Sequence, residues 1–237
     1  MDHPGLLLHG LSEVSLFFAV SAGASSVRGR GACGNRSSGR VVGRFHASGP
    51  AGEPAALDHG WRVSMSSREE AAALAGLLGG DVRTGRSGSE WITRRDRFEI
   101  TLDGPQSLDF RMVTRGRQGE HVCDGVRHLR PATIAGEACG CPPTWSQRRA
   151  ASRAGRGPKP EITLRFRLVE APEAGPFGML SSSWVLTEDI DTVLGRLDGT
   201  NGPVTAGLSI DRRSFITPAG IEVVGQRPRL RLLSSVP

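Results

Sequence analysis

Apolar and polar positions repeat with two different periods along this chain, in separate stretches. The helical period is clearest around residue 70. Ala71, Leu74, Leu77 and Leu78 recur at three- and four-residue spacing. Ser66 and Ser67 stand three residues before Glu69 and Glu70, so the Ser-x-x-Glu capping signature occurs twice. Gly79-Gly80 supplies a left-handed stop after Leu78. A second helix is predicted from about Asp189 to Leu197, with Thr187 near its cap.

The strand period covers more of the chain. Phe98, Ile100 and Leu102 alternate with Glu99, Thr101 and Asp103. Gly104-Pro105 then turns the chain, and Leu108, Phe110 and Met112 alternate again. Together these two runs predict an antiparallel hairpin with one wet face. Ile162, Leu164, Phe166 and Leu168 alternate with Thr163, Arg165 and Arg167, and Val204, Ala206, Leu208 and Ile210 form a similar run. Shorter strands are predicted at Val41, Val42 and Phe45, at Trp61 and Val63, and from Trp91-Ile92. Two closing strands are predicted, Ile221 to Val224 and Leu230 to Leu233. The expected fold class is α+β: mainly antiparallel strands with two or three helices and a cysteine-containing loop insertion. Long helices do not alternate with strands as a doubly wound sheet requires.

Composition adds constraints. Gly 32 and Pro 15 sum to 47 of 237 residues, so turns are frequent and the core rests on few elements. No run of about 18 apolar residues occurs, so no transmembrane helix is expected, and the chain reads as cytoplasmic. Four cysteines are too few for a disulfide-built scaffold. Residues 1–40 carry one short apolar run, Val14 to Val20, followed by small residues and arginine without periodicity. They are expected to lie outside the fold, as a disordered tail or the product of a mis-assigned start. Residues 41–237 are then a single α+β domain, with a Cys/Arg-rich insertion at about 121–160.

The charge is 30 − 24 = +6, and nearly all of the positive charge is arginine; Lys159 is the single lysine. Arginine suits phosphate and carboxylate partners through its rigid fork of donors. Five positive charges and no acid fall between residues 144 and 160: Arg148, Arg149, Arg153, Arg156 and Lys159. Thr144 is placed to cap a short helix presenting Arg148, Arg149 and Arg153. That face would meet phosphate or an acidic protein surface; the alternative is a solvated connector.

Cys123, Cys139 and Cys141 fall within nineteen positions, in a stretch rich in Gly, Pro and His. Clustered thiolates suit zinc, which takes four N or S ligands in a tetrahedron. Three cysteines leave one position, for which His121 and His128 are both close enough in sequence to Cys123. The alternative is three unpaired structural cysteines on a loop. Catalytic signatures point the other way. The chain contains no G-x-S-x-G elbow, no P-loop and no H-E-x-x-H. Asp189 and Asp191, and likewise Glu69 and Glu70, fit helix starts, where acids favour the positive end of the dipole. No nucleophile–base pair can be nominated, so the chain is expected not to be an enzyme.

Several segments together resemble the recombination directionality factors of phages and elements that use large serine integrases. They are Val42-Gly43-Arg44-Phe45, the Ser-capped helix ending Leu78-Gly79-Gly80-Asp81, Trp91, Cys123-Asp124-Gly125-Val126, Cys139-Gly140-Cys141-Pro142, and the strand from Pro160 to Leu168. The resemblance covers about five-sixths of the chain from Val41 on and loosens after Phe177. It implies a small non-enzymatic accessory protein that binds its integrase on DNA and switches it from integration toward excision. Weak non-specific DNA contact would accompany this, with no small-molecule substrate. The family pattern carries a further cysteine where this chain has Pro158. The resemblance therefore implies a lost ligand or a recruited histidine. The rival reading is a stand-alone zinc-dependent or basic DNA-binding regulator.

Overall fold

In the computed structural model, residues 40–47, 60–85, 88–116, 119–200, 202–218, 220 and 222–233 are described. The tail expected at 1–40 lies almost wholly outside these residues, as does Cys33. No helix among the described residues is long and apolar enough to cross a membrane.

Helix α1 (Arg68–Leu78) forms where the periodicity puts it. The Ser67 hydroxyl accepts from the Glu70 amide at 3.2 Å, and Ala71, Leu74 and Leu78 are buried. Its exit is held by packing as well as by backbone freedom. Gly80 has φ +115°, and a Cβ there would lie 2.3 Å from the Ile92 carbonyl oxygen. Only glycine lets the chain pass so close.

Before and after α1 run β1 (Gly43–His46), β2 (Arg62–Met65), β3 (Asp81–Gly85), β4 (Gly88–Ile92), β5 (Arg97–Leu102) and β6 (Leu108–Gly116). Then come β7 (Gly119–Cys123), β8 (His128–Arg130), α2 (Trp145–Arg153), β9 (Lys159–Leu168) and β10 (Phe177–Ser181). Helix α3 (Trp184–Asp198), β11 (Val204–Ile216) and β12 (Glu222–Leu232) close the fold. The strands make one mixed sheet in the order β12-β11-β5-β9-β10-β1-β2-β4-β3. Among the described residues only β1 and β10 pair in parallel; the other ladders are antiparallel. The α+β expectation, with mainly antiparallel strands and two or three helices, matches this architecture.

The core is aromatic at its centre. The Phe45 ring meets Trp61, Trp91, Phe98, Phe166 and Phe177 edge-on at 5.2 to 6.4 Å. Edge-to-face contact suits the ring quadrupoles and adds to the gain from burial. The apolar stripes of α1 and α3 enter the same cluster through Leu74, Leu78, Leu186, Ile190 and Val193.

Three expectations are corrected. Residues 98–102 and 108–112 are not hairpin partners. Both lie along one edge of β9, with Ile100 opposite Leu168 and Leu108 opposite Leu164. The turn between them, Pro105–Ser107, curls without reversing the chain, because the Ser107 hydroxyl accepts from the Asp103 amide at 2.9 Å. Alternation predicts strands but not which strands pair. Helix α3 begins five residues earlier than Asp189, capped by Ser183, whose hydroxyl accepts from the Val185 amide. Thr187 sits inside it, buried, donating to the Trp184 carbonyl. The two closing strands are one, β12, running through Pro228 opposite Ile210. A proline is tolerated there because β12 is an edge strand, which needs no outward donor.

The break between β5 and β6 forks the sheet. On the far side of β5 lie β11 and β12; on the far side of β6 lie β7 and then β8. The second branch carries the cysteines.

Candidate metal centre

Strand alternation places the first two donors. His121 and Cys123 are two residues apart on β7 and share a face, opposite Thr114 and Met112 of β6. The chain then reverses within four residues. Asp124 Oδ1 accepts from the Val126 and Arg127 amides, both at 2.7 Å, an Asx turn. Gly125 takes φ +95° in that turn. The returning segment is laid beside the turn by the Cys139 amide, which donates to the Val126 carbonyl at 3.0 Å, and by the Arg127–Ala138 bridge. Gly140, at φ +69°, turns the chain so that Cys141 faces the same point as Cys139.

The ligand atoms of His121, Cys123, Cys139 and Cys141 all lie within 4.8 Å of one another. Cys123 Sγ and Cys141 Sγ are 3.6 Å apart, and Cys141 Sγ is 3.8 Å from His121 Nε2. A tetrahedron with arms of about 2.3 Å has edges of about 3.8 Å, so these two separations match its edges, and the remaining donors need draw in by no more than about 1 Å. The three cysteines are free. Burial pushes the Cys123 and Cys141 thiols up and holds the His121 imidazole below its ordinary value, with His128 adding to the last effect. The histidine is thus poised in its neutral, ligating form, while the thiolates need a cation to exist in that setting.

The two candidate histidines are separated by the fold. His128, on β8, packs its ring against that of His121 at 4.7 Å and is not among the four converging donors. Its buried Nδ1 has no hydrogen-bond partner. Pro158 lines the hollow beside His121, Cys139 and Cys141. The side chain that converges with the three thiols is His121.

Helix α2 abuts the cluster. Thr144 caps the helix as expected, and Gln147 completes a capping box: the Gln147 amide donates to Thr144 Oγ1 and the Gln147 side chain accepts from the Thr144 amide. Trp145 stands edge-on to Phe110 at 5.5 Å, and its indole N–H donates to Asp191 of α3. The five basic side chains do not behave alike. Arg148 is only 7% exposed; its Nη2 donates to the Gly125 carbonyl at 2.7 Å and its Nε to the Pro142 carbonyl at 2.6 Å. Its guanidinium lies over the Trp145 ring at 4.6 Å. Arg148 was expected on the contact face and instead is used inside the protein. Arg149 is half-buried, and Arg153, Arg156 and Lys159 are exposed. Arg156 borders the hollow next to the cluster. The role of Arg148 had a faint signal in the sequence, since Asp124-Gly125 marks a turn whose open backbone a long side chain can approach.

The family model described as Gp3-like, recombination directionality factor-like, matches residues 28–218. The match extends well past Phe177, where the resemblance in the sequence loosens. No solved structure matches the chain.

Proposed function

The chain belongs to the Gp3-like family of recombination directionality factor-like proteins, and on that premise we propose that it docks on a large serine integrase assembled on DNA and switches it from integration toward excision. The observation that carries this reading is the family match over residues 28–218. A family of accessory recombination factors acts through a recombinase rather than by chemistry of its own. Such a protein changes direction only by binding one conformation of the recombinase–DNA complex more tightly than another. Coupling is reciprocal, so integrase variants that bind the factor less well lose the switch in proportion.

Two features of this chain serve the reading. The cluster of Cys123, Cys139, Cys141 and His121 holds zinc as a structural ion that fixes the β7–β8 branch. Arg149, Arg153, Arg156 and Lys159 contribute sequence-independent attraction to DNA phosphate, adding affinity without base readout. Residues 41–237 act as one domain.

The test is recombination with the integrase of the same element. Added protein should promote attL × attR recombination and inhibit attP × attB. In gel shifts it should bind the integrase–DNA complex tightly and bare DNA weakly, with steep salt dependence. Recombination that proceeds identically with and without the protein would sink the proposal. Tight, sequence-specific binding to bare DNA would replace it with the stand-alone regulator.

A further inference from the structure

We infer that Arg148 is the built-in counter-ion of a metal–thiolate complex formed by Cys123, Cys139, Cys141 and His121, so that metal loading and the seating of α2 are one event. The inference rests on the zinc reading and adds a charge argument to it.

A buried guanidinium is costly unless an opposite charge lies nearby. Arg148 is buried, yet among the described residues it takes part in no ion pair. Its two hydrogen bonds go to backbone carbonyls, which supply dipoles but no charge. The positions of those carbonyls identify the missing anion. Gly125 is two residues past Cys123, and Pro142 is one residue past Cys141. The guanidinium therefore lies across the bases of both ligand loops. The site is shaped for it: a Cβ at position 125 would come 2.5 Å from Arg148 Nη1.

The charges then close. A divalent ion (+2), three thiolates (−3) and a neutral imidazole (0) sum to −1, which the single positive charge of Arg148 cancels. With the thiols protonated and no ion bound, the cluster is neutral and the buried guanidinium has only two carbonyl dipoles and the face of the Trp145 ring, with no opposite charge. A monovalent ion on the same ligands would leave −2, and hard ions such as magnesium do not favour thiolates. The charge balance thus points to a thiolate-seeking divalent ion of tetrahedral preference, the class of zinc. Arg148 also belongs to α2, so the ion pair that forms on loading pulls the helix onto the two ligand loops. Arg148 is a positioning residue, not a ligand.

The experiment uses the full-length protein purified without chelator. Zinc content is measured by elemental analysis, and zinc affinity by chelator competition, for wild type, Arg148→Met and Arg148→Lys. Cobalt(II) replaces zinc as a spectroscopic probe of thiolate coordination. The expected results are one zinc per chain, an affinity lower by about 10–100-fold in Arg148→Met, and partial recovery in Arg148→Lys. Lysine restores the charge but not the two-pronged clamp, so this variant separates counter-ion from mere packing. Chelation should also speed amide exchange over residues 124–153 and leave Phe98–Leu102 and Ile162–Leu168 slow, which shows directly that metal and α2 are coupled. Wild-type protein that binds neither zinc nor cobalt(II) overturns the zinc reading itself. Stoichiometric zinc with Arg148→Lys no better than Arg148→Met, or with α2 exchange unmoved by chelation, overturns the counter-ion alone.

Discussion

Around Phe45, five aromatic rings from different elements close on one another, and 28 buried residues form a single cluster. Between Gly119 and Arg156 the only fully buried apolar side chains among the described residues are Val122 and Cys123, while Val126 and Leu129 are 64% and 44% exposed. Both regions hang on β9, one through β5 and β10, the other through β6. The first is stable by removing apolar area from water, which needs no single indispensable group. The second has little apolar area to remove. It relies on an Asx turn, a capping box, a buried arginine and four converging donors, each of which is a point of failure. Segments too small to build a core commonly add a metal for that reason. The contrast predicts that the two regions respond to different perturbations.

The largest effect should come from the aromatic centre. Phe45→Ala removes the ring that five others contact and should cost about 3–5 kcal/mol of global stability. Thermal or denaturant unfolding reads this directly, and added chelator should not change the difference between variant and wild type. A loss below about 1 kcal/mol would mean that the cluster is not the stabilising unit.

Next is the branch. Cys139→Ser should abolish zinc binding and loosen residues 124–153, with a smaller effect on global melting than Phe45→Ala, since metal-binding energy is folding energy only for what the metal organises. His121→Ala should lose zinc as well, and His128→Ala should retain it. Zinc lost in His128→Ala but kept in His121→Ala would reverse the ligand assignment.

On the sheet side a pH effect is expected from His46. His46 is held down at about 4, mainly by burial and further by Arg62 and Arg44. Its ring accepts or donates one hydrogen bond with Ser64 Oγ at 2.9 Å. The folded state therefore resists protonation while the unfolded chain protonates near the ordinary value of 6.5. Stability contributed by neutral His46 is complete above that value and is lost as pH falls toward about 4. His46→Gln should flatten melting temperature over this interval; an unchanged slope would place the titration elsewhere.

The smallest effect should be removal of residues 1–40, which is expected to leave the melting temperature of both regions where it was. A clear drop would place packing contacts in that segment and move the domain boundary.

Much of the first region is legible in the sequence. Period alone located α1, β5, β6, β9 and the start of β11, because a buried stripe must repeat with the geometry of its element. Pairing was not legible. Phe98–Leu102 and Leu108–Met112 read as a hairpin because a Gly-Pro turn lies between them, yet both answer to β9, about sixty residues on. Nor was the start of α3, since Ser181, Ser182 and Ser183 offer three equivalent caps and only packing of Val185 and Leu186 selects one. In the second region the three cysteines stood out by residue type, and Thr144 as the cap of a short helix.

The sequence by itself determined the α+β class, the capped starts of α1 and α2, the alternating strands and the presence of three thiols near two histidines, because propensity, period and side-chain chemistry are local. Tertiary structure decided which strands share an edge, that His121 rather than His128 joins the thiols, and that Arg148 turns inward while Arg153 and Arg156 face water. Those outcomes depend on distances between segments far apart in the chain. The free energy of burying a charge or closing a ligand set is defined only once those segments have met.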